Sequence, residues 1–413
     1  MKDSKDGSSQ RAAGDFAVRG AASIGAFTES EWAGLAGTSR EDFENGYNPF
    51  LSFSFLSALE ESGCAIGRTG WQGHHLRLEV PDGTLLGAVP CYVKSHSQGE
   101  YVFDHGWADA FERAGGRYYP KLQVSVPFTP VTGPRLLHRR NSIDQDVLKA
   151  ALASGLKAVT DRLGVSSAHV TFAQPPDMAA LANAGFLRRT DQQFHFFNEN
   201  YGSYEDFLST LASRKRKALK RERREALADG ITIDWLTGSD LTESVLDDFF
   251  AFYMDTGGRK WGRPYLNRRF FSLVGERMRD DILLVMAKRA GRYIAGAINF
   301  IGSDALYGRN WGCIEDHPFL HFEVCYHQAI DFAIHRKLRT VEAGAQGEHK
   351  LARGYMPVTM QSAHYIAHPG LRKAIADYLQ HERRDVAHVG EYLERHGPFR
   401  RGPLQADDEP LKE

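Results

Sequence analysis

A polar segment near the carboxyl end of the chain carries the residue types that proton transfer and anion binding need. The run RTVEAGAQ (339–346) predicts a strand, and polar side chains gather at its end: Glu342, Gln346, Glu348, His349, Lys350 and Arg353. Strand ends in α/β sheets are common ligand positions. Glu348 or His349 could act as a general base, and Lys350 or Arg353 could hold an anion. A solvated loop with an Arg–Glu pair would explain the same residues without a function.

A second candidate segment is the start of a predicted helix, HPFLHFEVCYHQ (317–328). Residues four apart share a helix face, which pairs Glu323 with His327 and His321 with Cys325. Glu323 or His327 could therefore serve in acid–base catalysis or contact a substrate. A third and fourth zinc ligand are not evident, so we predict no metal site, whereas a Cys–His nucleophile stays open. A core Cys325 and a Glu323 that favours the helix dipole are the structural alternative.

Two strands carry polar sets that could bind substrates. Tyr307, Arg309 and Trp311 alternate along one predicted strand, so we expect them to face one side. An arginine flanked by aromatic rings suits a phosphate, a carboxylate or a nucleotide. In the first half, the matching polar residues are Tyr119, Lys121, Gln123 and Arg135. An amphipathic sheet face and ordinary turn residues are the alternatives.

Two basic segments could contact anions. The segment GGRKWGRPYL (257–266) predicts a flexible substrate loop that includes Arg259 and Lys260, between two predicted helices. The segment RKRKALKRERR (214–224) holds eight basic residues and one acidic residue on a helix that we predict from Tyr204 to Ala228. A solvated charged face is the alternative to nucleic-acid binding. Phosphate contacts are expected from Arg214, Lys215, Arg216, Lys217, Lys220 and Arg221.

The elements around these residues follow the same order in both halves of the chain. In the first half, the hairpin pattern of residues 76–94 precedes an aromatic strand (99–111), a helix over about 142–163 and the strand SSAHVTFAQ. In the second half, the hairpin pattern of residues 281–302 precedes an aromatic strand, a helix over about 320–338 and the strand RTVEAGAQ. Gly106-Trp107 and Trp311-Gly312 sit at comparable points. The repetition predicts a duplicated α/β unit.

Composition limits the class of protein. The chain has 413 residues, 51 Lys+Arg against 52 Asp+Glu, and 42% hydrophobic residues, which suits two domains with sizeable cores. The balanced charge excludes a basic nucleic-acid coat protein and an acidic disordered chain. No apolar run suits a membrane helix, no signal segment is visible, and the four cysteines lack C-x-x-C spacing. We therefore expect a cytoplasmic protein.

Four strings resemble the FemAB-like N-acyltransferases, a Fem-type branch of the GNAT superfamily: LASRKRKALKRERREALADGITIDW, YYPKLQVSVPFTPVTGPRLL, LHFEVCYHQAI and GAQGEHKLARGY, of which the last two are specific. The resemblance spans about residues 45–395. It implies an α/β (α+β) fold with two tandem GNAT-like domains, each a mixed, mostly antiparallel sheet flanked by helices. The expected divisions are a disordered tail (1–16), domain 1 (17–200), the basic connecting helix (201–230), domain 2 (231–396) and a second tail (397–413).

The resemblance also implies transfer of an acyl or aminoacyl group to an amine, as in peptidoglycan crossbridge synthesis. Acetyl-CoA-dependent GNAT enzymes hold the pyrophosphate on a Gly-rich loop before a helix, and HPFLHF stands there instead. We therefore favour aminoacyl-tRNA as the donor, an amine of a small molecule or peptide as the acceptor, and no resident cofactor. The alternatives are a CoA-dependent N-acetyltransferase and a non-catalytic module that recognises a cell-wall precursor or nucleic acid. We expect the site in a crevice between the halves, near residue 348.

Overall fold

The computed structural model describes residues 16–38, 46–139, 144–261, 264–344 and 347–400. The strands are β1 Ala17–Ala21, β2 Trp71–Gly73, β3 His75–Glu79, β4 Leu85–Val89, β5 Cys91–Lys94, β6 Lys121–Val124, β7 Leu137–His138, β8 Ser167–Val170, β9 Leu187–Phe197, β10 Thr232–Leu236, β11 Ile282–Arg289, β12 Arg292–Ile301, β13 Ala305–Cys313, β14 Thr340–Glu342 and β15 Met356–Ile366. The helices are α1 Glu29–Ala36, α2 Phe53–Glu61, α3 His105–Arg113, α4 Gln145–Leu163, α5 Pro175–Asn183, α6 Tyr204–Thr210, α7 Ser213–Ala226, α8 Glu243–Trp261, α9 Arg268–Arg277, α10 Leu320–Phe322, α11 Gln328–His335 and α12 Pro369–Arg395.

One sheet of eleven strands runs through both halves, in the order β10-β11-β12-β13-β14-β9-β15-β8-β6-β5-β2. A separate four-stranded sheet, β1-β3-β4-β7, lies in the first half. In each half a helical segment connects two parallel neighbours, α4 between β6 and β8, and α10–α11 between β13 and β14. This repeated strand–helix–strand unit is the duplication that the sequence predicts.

The last strand of each half pairs with the other half. Strand β9 lies beside β14, and β15 lies beside β8. Strands β9 and β15 then pair antiparallel with each other, from His195↔Met356 to Leu187↔His364, and this ladder joins the halves into one sheet. The division into domains at 17–200 and 231–396 stays a prediction, and each predicted domain contributes one strand to its neighbour's part of the sheet.

The hairpins form where alternation and turn chemistry predict them. Between β3 and β4, Gly83 adopts a φ of 86°, and the Asp82 side chain accepts a hydrogen bond from the Thr84 amide. A similar turn at Ala290-Gly291 joins β11 to β12, both with positive φ. Glycine supplies such left-handed conformations at little cost.

The aromatic strand predicted within residues 99–111 is wrong, because most of this segment forms helix α3. Trp107, Ala108 and Phe111 have helical spacing, and they pack on Tyr118 and the end of β15. Trp107 therefore lies on a helix whereas Trp311 lies on strand β13, so the two Gly/Trp pairs do not occupy equivalent places.

The basic segment forms two helices instead of the single helix predicted from Tyr204 to Ala228. Helix α6 ends at Thr210, and Leu211 is extended and fully buried before α7 begins at Ser213. The segment 397–400 fixes this break, because the Ala212 amide donates to the Pro398 carbonyl and the Arg400 amide donates to the Thr210 carbonyl. The first four residues of the predicted carboxyl tail are therefore ordered.

The predicted loop at 257–266 is helical over its first five residues, because α8 continues to Trp261. Arg259 and Lys260 thus lie in the last turn of α8, and the placement of their side chains is outside the described residues. Helix α9 starts where predicted, with the Asn267 side chain accepting from the Phe270 amide. Within the described ranges, no helix is long and apolar enough to cross a membrane.

Three large cores pack against the sheets. One core combines α1 and α2 of the first half with α8 and α9 of the second half over strands β11 and β12. A second core lies on the opposite face of the second half, under α6, α7 and α11, and a third lies under α4 and α5. The first core holds the halves together, and Tyr307 of the candidate site is part of it.

Candidate active site

A β-bulge in β13 aims Arg309 at the junction of the halves. Asn299 of β12 pairs with Gly308 and Ile298 pairs with Asn310, which leaves Arg309 as the extra residue of the longer strand. After a bulge the alternation of side chains shifts by one residue. Tyr307 therefore packs in the first core and Trp311 packs against the second. The prediction that Tyr307, Arg309 and Trp311 all face one side is wrong for Trp311.

Glu342 ends strand β14 on the same face as Tyr307 and His195, because these residues are direct partners across β13, β14 and β9. Strand β14 pairs with β13 over three residues only, whereas β13 continues to Cys313. The chain after Glu342 turns to β9, where the Phe194 amide donates to the Gly344 carbonyl. Strands β13 and β14 thus separate beside Arg309 and Glu342.

Several polar atoms at this place are buried without a hydrogen-bond partner. They are Oε2 of Glu342 and both Nε and Nη2 of Arg309, and each is shielded from solvent. The remaining Arg309 nitrogen, Nη1, donates to the Gly308 carbonyl at 2.8 Å, and the guanidinium lies 4.6 Å from the centre of the Phe50 ring. Buried polar groups are almost always paired in folded proteins, so these atoms are suited to a ligand.

Burial sets the protonation of this junction cluster, which we define as Tyr307, Arg309, Glu342, His195 and Lys350. Burial raises the pKa of the Glu342 carboxyl to about 7, although the positive charge of Arg309 opposes the shift. Burial lowers the pKa of Lys350 to about 8 and that of His195 to about 4. A carboxyl with a pKa near neutrality is a suitable general base, and perturbed groups of this kind concentrate at functional sites.

A narrow apolar pocket opens beside Arg309, between the halves. Thr129 and Phe128 contribute from the first half, and Phe300 and Asn310 contribute from the second. The Tyr265 ring stacks on Phe128 with centroids 4.9 Å apart. This pocket between the halves has a volume of about 10 Å³, room for about one water molecule, and Arg309 lines it instead of the residues near 348. A substrate crevice near residue 348 stays a prediction.

The side chains of Lys350 and His349 contact different parts of the protein. The Lys350 amine donates to the carbonyls of Ala343 and Gly344, at 2.6 and 3.2 Å, and thereby closes the turn after β14. His349 is exposed and shares a 3.0 Å hydrogen bond with the Tyr326 hydroxyl. Glu348 starts a short 3₁₀ turn, but its side chain and the whole of Gln346 lie outside the described residues. The roles predicted for Glu348 and His349 as the base stay predictions.

Glu323, His327 and Arg353 form a second group with α7, which we call the α7 ion-pair cluster together with Glu222 and Arg223. Arg353 holds Glu222 through two nitrogens, at 2.8 and 2.5 Å. His327 contacts Glu222 with Nε2 at 2.7 Å. Burial opposes ionisation of Glu222, but the hydrogen bonds from His327 and Arg353 hold its pKa below the usual value.

The remaining members of this cluster are also fully engaged. Arg223 reaches both oxygens of Glu323, at 2.8 and 3.0 Å, and Gln328 donates to the same carboxylate. The Nδ1 atom of His327 contacts the Tyr204 hydroxyl at 2.6 Å. Glu323 and His327 have no exposed surface. They connect α7 to the 320–335 segment through these contacts, and their predicted catalytic roles stay predictions.

The first-half residues predicted to bind substrate are also bound to protein groups. The Lys121 amine donates to Asp104 at 2.6 Å and to Ser97 at 2.7 Å, and Tyr119 shares a 2.8 Å hydrogen bond with Ser97. Arg135 is fully buried and donates to the carbonyls of the loop that carries it. Their predicted substrate contacts stay predictions.

The basic helix keeps one face free of the core. Leu219, Glu222 and Ala226 of α7 are buried, whereas the cations predicted to bind nucleic acid are exposed, except for the half-buried Arg216. Lys220 pairs with Glu205, and Arg221 pairs with Glu225 one turn later. The exposed face could take phosphates, which stays a prediction.

A histidine pair at the seam of the shared sheet was not among the residues predicted from the sequence. His169 of β8 and His364 of β15 are paired residues, and their Nδ1 atoms lie 2.7 Å apart. Burial lowers the pKa of His169 to about 3 and also lowers that of His364. Both follow polar–apolar alternation, but only the pairing of β8 with β15 reveals the contact. Across the described residues, no three His, Cys, Asp or Glu side chains could hold a metal ion.

Comparisons with known proteins agree with this architecture. A family model named FemAB-like, described as peptidoglycan biosynthesis/recognition, matches residues 23–401. The crystal structure of FemX has 12% identity over 85% of this chain and 98% of that one, with a TM-score of 0.52. The C-terminal domain of a protein described as a lysylphosphatidylglycerol synthetase from Agrobacterium fabrum has 8% identity over 84% and 96%, with a TM-score of 0.51. No curated protein matches the chain significantly.

A tandem GNAT protein from the clavulanic acid biosynthesis pathway also covers 86% of this chain and 99% of its own, at 12% identity and a TM-score of 0.44. Identities this low show a shared fold and nothing finer. The fold shared with FemX agrees with the predicted α/β fold class.

Proposed function

The chain belongs to the FemAB-like family, and we propose that it is an acyltransferase that transfers an aminoacyl group from aminoacyl-tRNA to an amine acceptor at the junction cluster. The observation that carries this proposal is the buried Glu342 carboxyl, whose pKa is about 7 and whose Oε2 has no partner, near the unpartnered nitrogens of Arg309. Oε2 of Glu342 and Nε and Nη2 of Arg309 have no hydrogen-bond partner in the fold, so these atoms are available to reactants.

In this mechanism the acceptor amine attacks the carbonyl carbon of the aminoacyl ester, and ionised Glu342 takes the proton that the amine loses. Arg309 Nε and Nη2 donate to the carbonyl oxygen as negative charge develops there. The bond between the carbonyl carbon and the ribose oxygen then breaks. Glu342 returns its proton to that oxygen, so the products are an amide and the free hydroxyl of the tRNA.

Two observations support the donor, and one supports the acceptor. The exposed cations of α7 suit a polyanion. The family description concerns peptidoglycan, for which an amine-bearing precursor is a suitable acceptor. The segment before α10 carries Phe319 in a left-handed conformation, with a φ of 62°, in place of the glycine-rich loop that would hold the pyrophosphate of CoA.

The test is a transfer assay on the folded protein with charged tRNA, RNase-treated charged tRNA and acetyl-CoA in parallel, with the acylated amine detected by mass spectrometry. We expect product from intact charged tRNA alone. Glu342→Gln should lower the rate by about 10²- to 10⁴-fold, the usual contribution of a general base. The control Glu391→Gln, on the exposed face of α12, should leave it unchanged. Product from acetyl-CoA alone would support the CoA-dependent alternative, and no product from either donor would reject both.

A further inference from the structure

Four aromatic side chains form a continuous patch on the side of β13 opposite Arg309. The ring centroids of Trp311 and His321 lie 5.2 Å apart, those of His321 and Phe322 lie 5.5 Å apart, and those of Phe322 and His349 lie 5.5 Å apart. His349 is exposed and the other three are half-buried. We call these four residues the aromatic patch.

The backbone is shaped to hold these rings together. Residues 323–327 form a π-helical turn, a rare form that occurs often at functional sites. Gly347 has a φ of 112°, and a Cβ there would lie 2.3 Å from the His349 ring, so only glycine lets that imidazole fold back over the turn. The Tyr326 hydroxyl then fixes the imidazole through Nε2.

One face of the Phe322 ring is covered by an arginine that is ion-paired with α7. The Arg353 guanidinium lies 3.4 Å from the centre of the Phe322 ring and is anchored on Glu222 of α7. Lys215 lies seven residues before Glu222, and therefore two turns along the same side of that helix, and it is exposed. An exposed cation of α7 thus lies two helical turns from the ion pair that borders the patch.

We propose that the aromatic patch is a stacking platform for the unpaired bases of a single-stranded RNA end, whose phosphates run along the basic face of α7. Aromatic faces beside a basic groove are the common means of holding single strands without sequence preference. This inference rests on the proposed use of an RNA donor. It adds the residues that hold the end of the donor. These residues lie on the opposite face of the sheet from Glu342, across the gap between β13 and β14.

The test is binding of a short fluorescein-labelled single-stranded RNA, measured by anisotropy, together with a duplex of the same length. Trp311→Leu keeps an apolar side chain but removes the stacking face, and His349→Ala removes an exposed imidazole. Loss of one stacked base, about 1–3 kcal/mol, corresponds to binding weakened about 5- to 150-fold. Each variant should weaken binding of the single strand by this amount and leave duplex binding unchanged.

The matched control is Trp235→Leu, which alters another half-buried tryptophan of the same half that packs on Phe332 and lies on β10. It should bind the single strand like the unaltered protein. Equal affinities for Trp311→Leu, His349→Ala and Trp235→Leu would overturn the platform. RNA binding that depends on the patch, without aminoacyl transfer, would instead reject the proposed function and keep the platform.

Discussion

The junction cluster and the α7 ion-pair cluster lie on opposite faces of the second half, and they differ in how far their polar atoms are satisfied. In the α7 ion-pair cluster, Glu222, Glu323 and His327 each contact at least two protein groups. In the junction cluster, Glu342 and Arg309 keep buried atoms without partners. Both clusters consist of charged and polar residues, so the sequence alone does not distinguish them. Satisfaction of hydrogen bonds distinguishes a group that holds the fold from one that is available to reactants.

The largest difference between the two clusters is expected when one charge is removed from the α7 ion-pair cluster. Glu222→Gln leaves the Arg353 guanidinium buried without its counter-ion, so we expect a loss of about 3–5 kcal/mol in the free energy of unfolding. Glu342→Gln, the matched change in the junction cluster, should cause no loss. Urea unfolding of both variants makes the measurement, and equal losses would show that the clusters do not differ as described.

The second prediction concerns how Glu342 couples stability to pH. Its pKa is raised from 4.5 in the unfolded chain to about 7 in the fold, so the fold favours the protonated carboxyl. The stability that this carboxyl contributes is present below about pH 4.5 and is lost as the pH rises through 7. Glu342→Gln should therefore match the unaltered protein at low pH and exceed its stability well above pH 7, on the order of 3 kcal/mol.

The measurement is the difference in unfolding free energy between the two proteins across this pH range. A difference that does not change with pH would contradict the raised pKa of Glu342.

The third prediction concerns the histidine pair, His169 and His364, which belongs to neither cluster. His169 and His364 stay neutral in the fold because burial lowers both pKa values, and Asp104, Lys121 and Arg189 are the charged groups around them. In the unfolded chain they take protons below about pH 6.5. Stability should fall by up to about 1.4 kcal/mol per pH unit for each histidine as the pH decreases from there.

The variant His169→Gln should reduce this slope by about 1.4 kcal/mol per pH unit, which corresponds to the uptake of one proton. Acid unfolding followed by circular dichroism measures the slope. An unchanged slope in the variant would show that His169 does not take up a proton on unfolding. The junction cluster responds in the opposite pH direction, which separates the two effects.

The smallest effect is expected on the exposed face of α7. Lys217→Ala removes a cation without core contacts, so stability should change by no more than about 0.5 kcal/mol. If α7 binds RNA phosphates, the salt dependence of RNA affinity should become shallower by about 0.7 in log–log slope. The conservative variant Lys217→Arg should restore the slope. An unchanged slope for Lys217→Ala would exclude this residue from the RNA contact.

Local sequence patterns predicted the hairpins and helices, whereas the position of the candidate site depends on strand pairing between residues far apart in the sequence. Alternation around Pro81-Asp82-Gly83 and helical spacing in α4 are local, so the hairpin and the helix formed as expected. The exchange of β9 and β15 between the halves depends on contacts far apart in sequence. The bulge depends on a single extra residue, Arg309, which no periodicity reveals. Glu342 stood among the predicted polar residues, but only its burial beneath the sheet junction distinguishes it from Glu348.

The most direct test of the account is the pH dependence of kcat/KM for transfer from charged tRNA, measured for the unaltered protein and for Glu342→Gln. If Glu342 is the base, the rate should rise with pH and level off with a midpoint near 7, where its carboxyl ionises. The Glu342→Gln variant should be slow and should lack this midpoint. The same midpoint in the variant would assign the proton transfer to another group and contradict the central role of the junction cluster.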